Sequence, residues 1–280
     1  MKKKIAWIID STGLMSDKLR HHPDVFCVPL SIQFDGKEYK DNVDFTTDEL
    51  YARIRNEKEI PKTSQPSPGT FSVLYEALKE KYDEAIAVHA SSKLSGTIGS
   101  SQTGAQLADF KVTTIDSGSL SGGLTGLIEE GIDLHEQGYT VEEIVKALKE
   151  KQQSHVAYAL VGQLEQLKKS GRVTGIQFFI GSLLNIKPIV RMEDGQLIPD
   201  KKIRSEKRAV RYLRDLVLEQ KEKIKGKLFI VHGNVLEKAK SLKEDLLQEA
   251  PHLSIEIGDI NSSLATHAGE GSLAVLWFTR

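Results

Sequence analysis

Short apolar runs alternate with segments of helical period from one end of the chain to the other. Residues 5–9, 25–30, 85–88, 112–115, 157–161, 228–231, 255–260 and 273–278 are too short for helices and read as buried strands. Residues 71–81, 141–152, 206–223 and 236–248 carry amphipathic helical patterns between them. Helix starts are marked: Thr46 with Glu49 and Thr140 with Glu143 have capping-box spacing, and Ser67 before Pro68 reads as an N-cap with proline at the first helical position. This alternation predicts an α/β fold of parallel sheets with helices on both faces.

One hairpin breaks the alternation. Residues 187–192, a turn at Asp194-Gly195 and residues 196–204 form two strands joined by a tight turn. The second half therefore has a different topology, and the step from the helix ending near Gln152 to the strand from Ala157 marks a seam. We expect two α/β domains: residues 1–155 with a mainly parallel sheet, and residues 156–280 with a mixed sheet containing the hairpin.

Composition narrows the function. The 280 residues carry 38 Lys+Arg against 39 Asp+Glu, a net charge of −1, with 39% hydrophobic and 28% charged residues. Such a chain buries a real core, and its charge balance argues against a whole-surface nucleic-acid binder. A single cysteine, Cys27, excludes an internal disulfide and a thiolate metal cluster. The only closely spaced histidines, His21-His22, are adjacent and read as loop residues, so no metal is expected. The apolar run at residues 5–9 stops at Asp10, short of a signal-peptide core and of the roughly 20 residues of a membrane span, so a cytoplasmic protein is expected.

The chemistry gathers where strands end. Asp10-Ser11-Thr12-Gly13 follows the first run, Ser91, Ser92, Ser95, Gly96 and Thr97 follow the third, and Asp116-Ser117 with Ser121-Gly122-Gly123 follow the fourth. A fourth loop, residues 62–69, leads into a helix. In open parallel sheets this edge is the ligand crevice, and helix N-termini there favour an anion. Lys62 and Lys93 are the only cations in these loops, which suits one carboxylate better than a polyphosphate. The phosphate-cradling G-x-x-x-x-G-K-[ST] pattern and the G-x-S-x-G nucleophile elbow are absent, and the near-match to a dinucleotide fingerprint has Ser121 where its first glycine belongs. Ser95, His267 and Asp10 leave a serine-dependent acyl hydrolase or acyltransferase open, and a regulatory interaction protein without lipid is a further alternative.

These loops, in order, resemble the DegV family: Lys62-Thr63-Ser64-Gln65-Pro66-Ser67, Ser91-Ser92-Lys93-Leu94-Ser95-Gly96-Thr97, Asp116-Ser117, Ser121-Gly122-Gly123, Gly171-Arg172-Val173, Lys187-Pro188-Ile189 and His267-Ala268-Gly269-Glu270-Gly271. The resemblance implies a bacterial protein that binds a long-chain fatty acid such as palmitate between two α/β domains. It further implies a carrier that is not itself a catalyst and needs no cofactor and that, as in the family's fatty acid kinase subunits, would present the carboxylate to an ATP-dependent partner, giving an acyl phosphate. Carried over by motif, Thr63, Ser95 and Gly96 would hold the carboxylate with His267 in the same network. Glu270 departs from the family's usual Gly-Pro-Gly after the histidine and puts an acid near that network.

The resemblance agrees with the energetics of a lipid. Hydroxyl donors contribute only about 0.5–1.5 kcal/mol net per bond, whereas a buried methylene contributes about 0.8 kcal/mol, so affinity must come from a long apolar slot. Ile176, Phe178, Phe179, Ile180, Leu183 and Leu184 are the candidate lining. Arg204, Lys207, Arg208 and Arg211 share one helical face and, with Arg172, are candidates for docking an acidic partner such as the kinase. No stacking aromatics accompany them, so nucleic acid is not expected; transient membrane contact is compatible with a lipid cargo.

Overall fold

The computed structural model describes residues 3–57, 60–179 and 186–279. In chain order the elements are β1 (Ile5–Asp10), α1 (Asp17–His21), β2 (Val25–Val28), β3 (Ser31–Phe34), β4 (Lys37–Lys40), α2 (Thr47–Glu57), β5 (Lys62–Ser64) and α3 (Pro68–Lys79). Next come β6 (Glu84–His89), α4 (Thr97–Ala108), β7 (Val112–Asp116), α5 (Gly122–Glu136), α6 (Val141–Gln152), β8 (His155–Leu160) and α7 (Leu164–Ser170). The chain ends with β9 (Lys187–Glu193), β10 (Gln196–Ile203), α8 (Glu206–Gln220), β11 (Lys225–His232), α9 (Leu236–Glu249), β12 (Ser254–Asp259), α10 (Ser262–Ala268) and β13 (Leu273–Phe278).

Among the described residues the strands form three sheets. β2-β1-β6-β7 is fully parallel, and every residue of β1 and β6 is buried, as expected of strands covered on both faces. β10-β9-β8-β13-β11-β12 is mixed, with one parallel pair, β11 with β12. The third, β4-β3-β5, is antiparallel and is not among the predicted strands. Its signal was present: Ile32 and Phe34 alternate with Ser31 and Gln33, and Asp35-Gly36 adopts positive φ at both positions, the geometry of a two-residue hairpin turn. Two expectations are corrected by it. The second strand stops at Val28 rather than running to Leu30, and residues 62–64, expected as a loop, pair with β3. His21 closes the one-turn helix α1 rather than lying in a loop, and the helix expected to run to 223 stops as α-helix at Gln220, with a 3-10 turn over Lys221–Lys223.

The local signals explain the helices. Thr140 and Glu143 form a reciprocal capping box, Ser67 caps α3 with proline at its start, and Gly171 ends α7 at φ +66°. Helices α8 and α9 cover one face of the six-stranded sheet, where Leu213, Val217, Leu242, Leu273, Val275 and Trp277 pack together. The opposite face turns towards the amino-terminal half. Glycines in α5 allow that approach: a Cβ on Gly122 would stand 2.5 Å from Phe229 Cγ, and one on Gly126 2.6 Å from Phe278. The halves therefore meet across α5, and the site lies beside this seam. Among the described residues no helix is long and apolar enough to cross a membrane.

Candidate functional site

A cavity of about 380 Å³ runs between the strand ends of the parallel sheet and the inner face of the mixed sheet. That is within the size range of small-molecule sites. Its wall is polar on one side and apolar on the other. Loops after β1, β6 and β7 supply Thr12, Ser95, Gly96, Ser119 and Ser121, β5 supplies Thr63, and α10 supplies His267. The mixed sheet supplies Ala157, Ala159, Val190, Met192, Ala274 and Leu276. Strand alternation sorts these residues: Leu273, Val275 and Trp277 of β13 face the helices, leaving Ala274 and Leu276 to face the cavity.

The sequence-expected head-group residues converge. Thr63 Oγ1 lies 2.7 Å from His267 Nε2. Ser95 Oγ lies 2.8 Å from Thr97 Oγ1 and accepts the Thr97 N–H at 3.4 Å, at the start of α4. Gly96 caps that helix with no side-chain acceptor of its own, and Gln65 fills the space a Cβ there would need while donating to Ser100 Oγ at 3.3 Å. Burial, aided by the nearby Arg172 guanidinium, pushes the His267 imidazole down to about 4, so the ring is neutral at pH 7. Arg172, just past the C-cap of α7, borders the cavity and donates to Ser170 O at 2.5 Å.

Behind the loops, buried polar groups hold the strand ends. Asp10 accepts from Thr12 N–H and Thr12 Oγ1, from Ala90 N–H, and from His89 Nδ1. Burial alone would raise the Asp10 carboxyl; the His89 contact and the other donors outweigh it and hold the group low. Asp41 accepts from Ser11 Oγ and from the Ser263 hydroxyl and N–H, tying the first loop to α10. Ser119 Oγ lies 2.8 Å from His155 Nε2 on β8.

Several expected residues lie elsewhere. Phe179 packs with Val161, Leu167, Val173 and Val190, Phe178 lies on the surface under Lys202, and neither they nor Ile176 border the cavity. Ile180, Leu183 and Leu184 lie outside the described residues. The apolar wall of the cavity is instead the mixed sheet, and its signal in the sequence is faint: alanines at 157, 159 and 274 among strand residues that are otherwise large. Glu270 turns away from the cavity, to Arg55 and to Asn234 Nδ2 at 2.6 Å. Arg204, Lys207, Arg208 and Arg211 are exposed at and beyond the start of α8, apart from the cavity, and no acid pairs with them among the described residues. The Ser95–His267–Asp10 chain of a hydrolase is not assembled: His267 bonds Thr63, Ser95 bonds Thr97, and Asp10 bonds His89.

Comparison with known proteins agrees with this architecture. Residues 4–280 match the family described as "Uncharacterised protein, DegV family". A DegV domain-containing protein of Listeria innocua is 32% identical over 99% of both chains, and one from Staphylococcus aureus is 34% identical over 99% of both. Among solved structures, a DegV family protein from Thermus thermophilus, described as fatty-acid-binding, superposes with a TM-score of 0.92 at 28% identity, covering 99% of this chain and 100% of that one. DegV of Bacillus subtilis, described as a fatty acid binding protein, gives a TM-score of 0.90 at 30% identity over 99% and 100%. A relative from Ruminococcus gnavus, described with vaccenic acid, gives 0.88 at 27% identity over 99% and 100%. The chain belongs to the DegV family.

Proposed function

We propose that this chain binds a long-chain fatty acid, with the carboxylate at Thr63, Ser95, Gly96 and His267 and the acyl chain along the alanine-floored face of the mixed sheet. One observation carries the reading: neutral hydroxyl and imidazole groups border the same cavity as an apolar sheet face. The fatty-acid binding described for the Thermus and Bacillus relatives, and the vaccenic acid described with the Ruminococcus relative, support it. Burying a dozen methylenes contributes on the order of 10 kcal/mol before ordering costs, and the hydroxyls orient the acid rather than supply most of the affinity.

In this reading the protein is a cytoplasmic carrier rather than a catalyst. It presents the bound acid to an ATP-dependent kinase for conversion to an acyl phosphate. Arg172 is the cation beside the head group, and the unpaired charges of Arg204, Lys207, Arg208 and Arg211 steer an acidic partner.

The test is extraction of lipid from protein purified from bacteria, with mass spectrometry of the extract. A stoichiometric C14–C18 acid is expected. Thr63→Ala combined with Ser95→Ala should lower retention at least tenfold while circular dichroism stays that of the parent. Protein free of lipid that fails to take up added palmitate would overturn the reading, and full retention by the double variant would overturn the head-group assignment.

A further inference from the structure

Among the buried hydroxyl residues bordering the cavity, one differs from the rest. Thr12 donates to Asp10, Ser119 is bonded to His155, Ser170 donates to Leu167 O, Ser263 donates to Asp41, and Ser272 donates to Ala268 O and Gly269 O. Ser121 is 6% exposed and borders the same cavity, yet its hydroxyl makes no hydrogen bond among the described residues.

Its backbone is also held where a side chain is disfavoured. Ser121 has φ +51° and ψ −123°, a region that glycine occupies freely and serine only under strain. The conformation is fixed by its neighbours: Ser121 N–H donates to Thr12 O at 2.9 Å, and its carbonyl accepts Leu124 N–H at 3.0 Å and Thr125 Oγ1 at 3.2 Å. The next residue, Gly122, lies against Phe229 of the mixed sheet, so Ser121 sits at the seam between the halves. Glycine would relieve the strain, so the serine contributes only its hydroxymethyl group. Covered by a plain hydrocarbon chain, that hydroxyl would stay unsatisfied, at a cost comparable to a lost hydrogen bond.

We propose that Ser121 hydrogen-bonds an oxygen substituent, a hydroxyl or keto group, carried part-way along the acyl chain. The cavity then favours an oxygenated long-chain acid over the plain saturated one. This rests on the fatty-acid reading above and adds the class of chain. One satisfied hydrogen bond corresponds to about a two- to tenfold gain in affinity.

The experiment is displacement of a fluorescent fatty acid from delipidated protein by stearate and by a positional series of hydroxy- and ketostearates. At least one positional isomer should bind two- to tenfold more tightly than stearate. Ser121→Ala and Ser121→Gly should each bring that ratio close to one; the glycine variant also relieves the strain and so guards against a folding defect. No isomer binding more tightly than stearate, or a preference that survives in both variants, overturns the proposal. Failure of stearate and every isomer to bind overturns the fatty-acid reading with it.

Discussion

Thr63 can donate to a carboxylate only if its hydroxyl proton is free, and His267 decides that. A neutral imidazole carries one ring proton. With that proton on Nε2, the ring donates to Thr63 Oγ1 across 2.7 Å and the threonine proton is left free to turn into the cavity. Ser95 is freed in the same way when Thr97, fully buried beside it, donates to it. Gly96 is the residue-scale test of this arrangement. A methyl group there collides with the Gln65 carboxamide, the far end of a flexible side chain that also donates to Ser100. Gly96→Ala should therefore weaken fatty-acid binding several-fold in a titration with palmitate while shifting the melting temperature only slightly. Adding Gln65→Ala should restore most of the lost affinity; if it restores none, the collision is not the cause.

At the scale of elements, the sequence of α5 serves two partners. Its apolar residues Leu124, Leu127, Ile128 and Ile132 pack under the parallel sheet, while Gly122 and Gly126 bring its axis against Phe229 and Phe278. Gly122→Ala gains helix propensity worth about 0.5–1 kcal/mol. The added methyl meets a buried ring that cannot give way, and overpacking of this kind costs about 1–3 kcal/mol. The net effect should be a loss of about 1 kcal/mol in urea unfolding, reversed when Phe229→Leu makes room; an unchanged or higher midpoint for Gly122→Ala would contradict the close packing. The same element marks what the sequence made legible. Apolar runs, caps and the Asp194-Gly195 turn located most strands and helices because each signal is local. Strand alternation assigns a residue to a face without saying whether that face meets protein or a void, so the cavity wall stayed hidden while the apolar stretch from Ile176 looked the better lining. Thr63, Ser95 and His267 were legible as a group only through the order of their motifs, since residues 63 and 267 are bonded across most of the chain.

The whole molecule is held at its seam by buried polar groups, and their protonation sets its response to acid. Burial lowers the His155 imidazole to about 4, and burial with Arg172 does the same for His267. Unfolded, both return to about 6.5. The folded state thus binds fewer protons than the unfolded chain between these values. The stability that depends on neutral rings is complete above pH 6.5 and is lost as pH falls towards 4. Each ring withholds up to about 3 kcal/mol across that window. His232, lowered mainly by burial with Asp259 opposing, acts in the same sense. Asp41 acts in the opposite sense: burial raises its carboxyl despite the Ser263 and Ser11 donors, so folding takes up a proton there on acidification. A melting temperature that falls steeply from pH 6.5 towards pH 4 is expected, because the histidine windows open above the usual carboxylate range. His155→Gln keeps a donor facing Ser119 without a titrating ring, and His267→Gln does the same towards Thr63. Each variant should flatten the slope, and the double variant should flatten it further, since the two sit on different elements and share no partner. Fatty acid bound at Thr63 should protect the parent at neutral pH and protect the His267→Gln variant less. A parent slope reproduced by both single variants would place the acid sensitivity elsewhere, with His232 the next group to test.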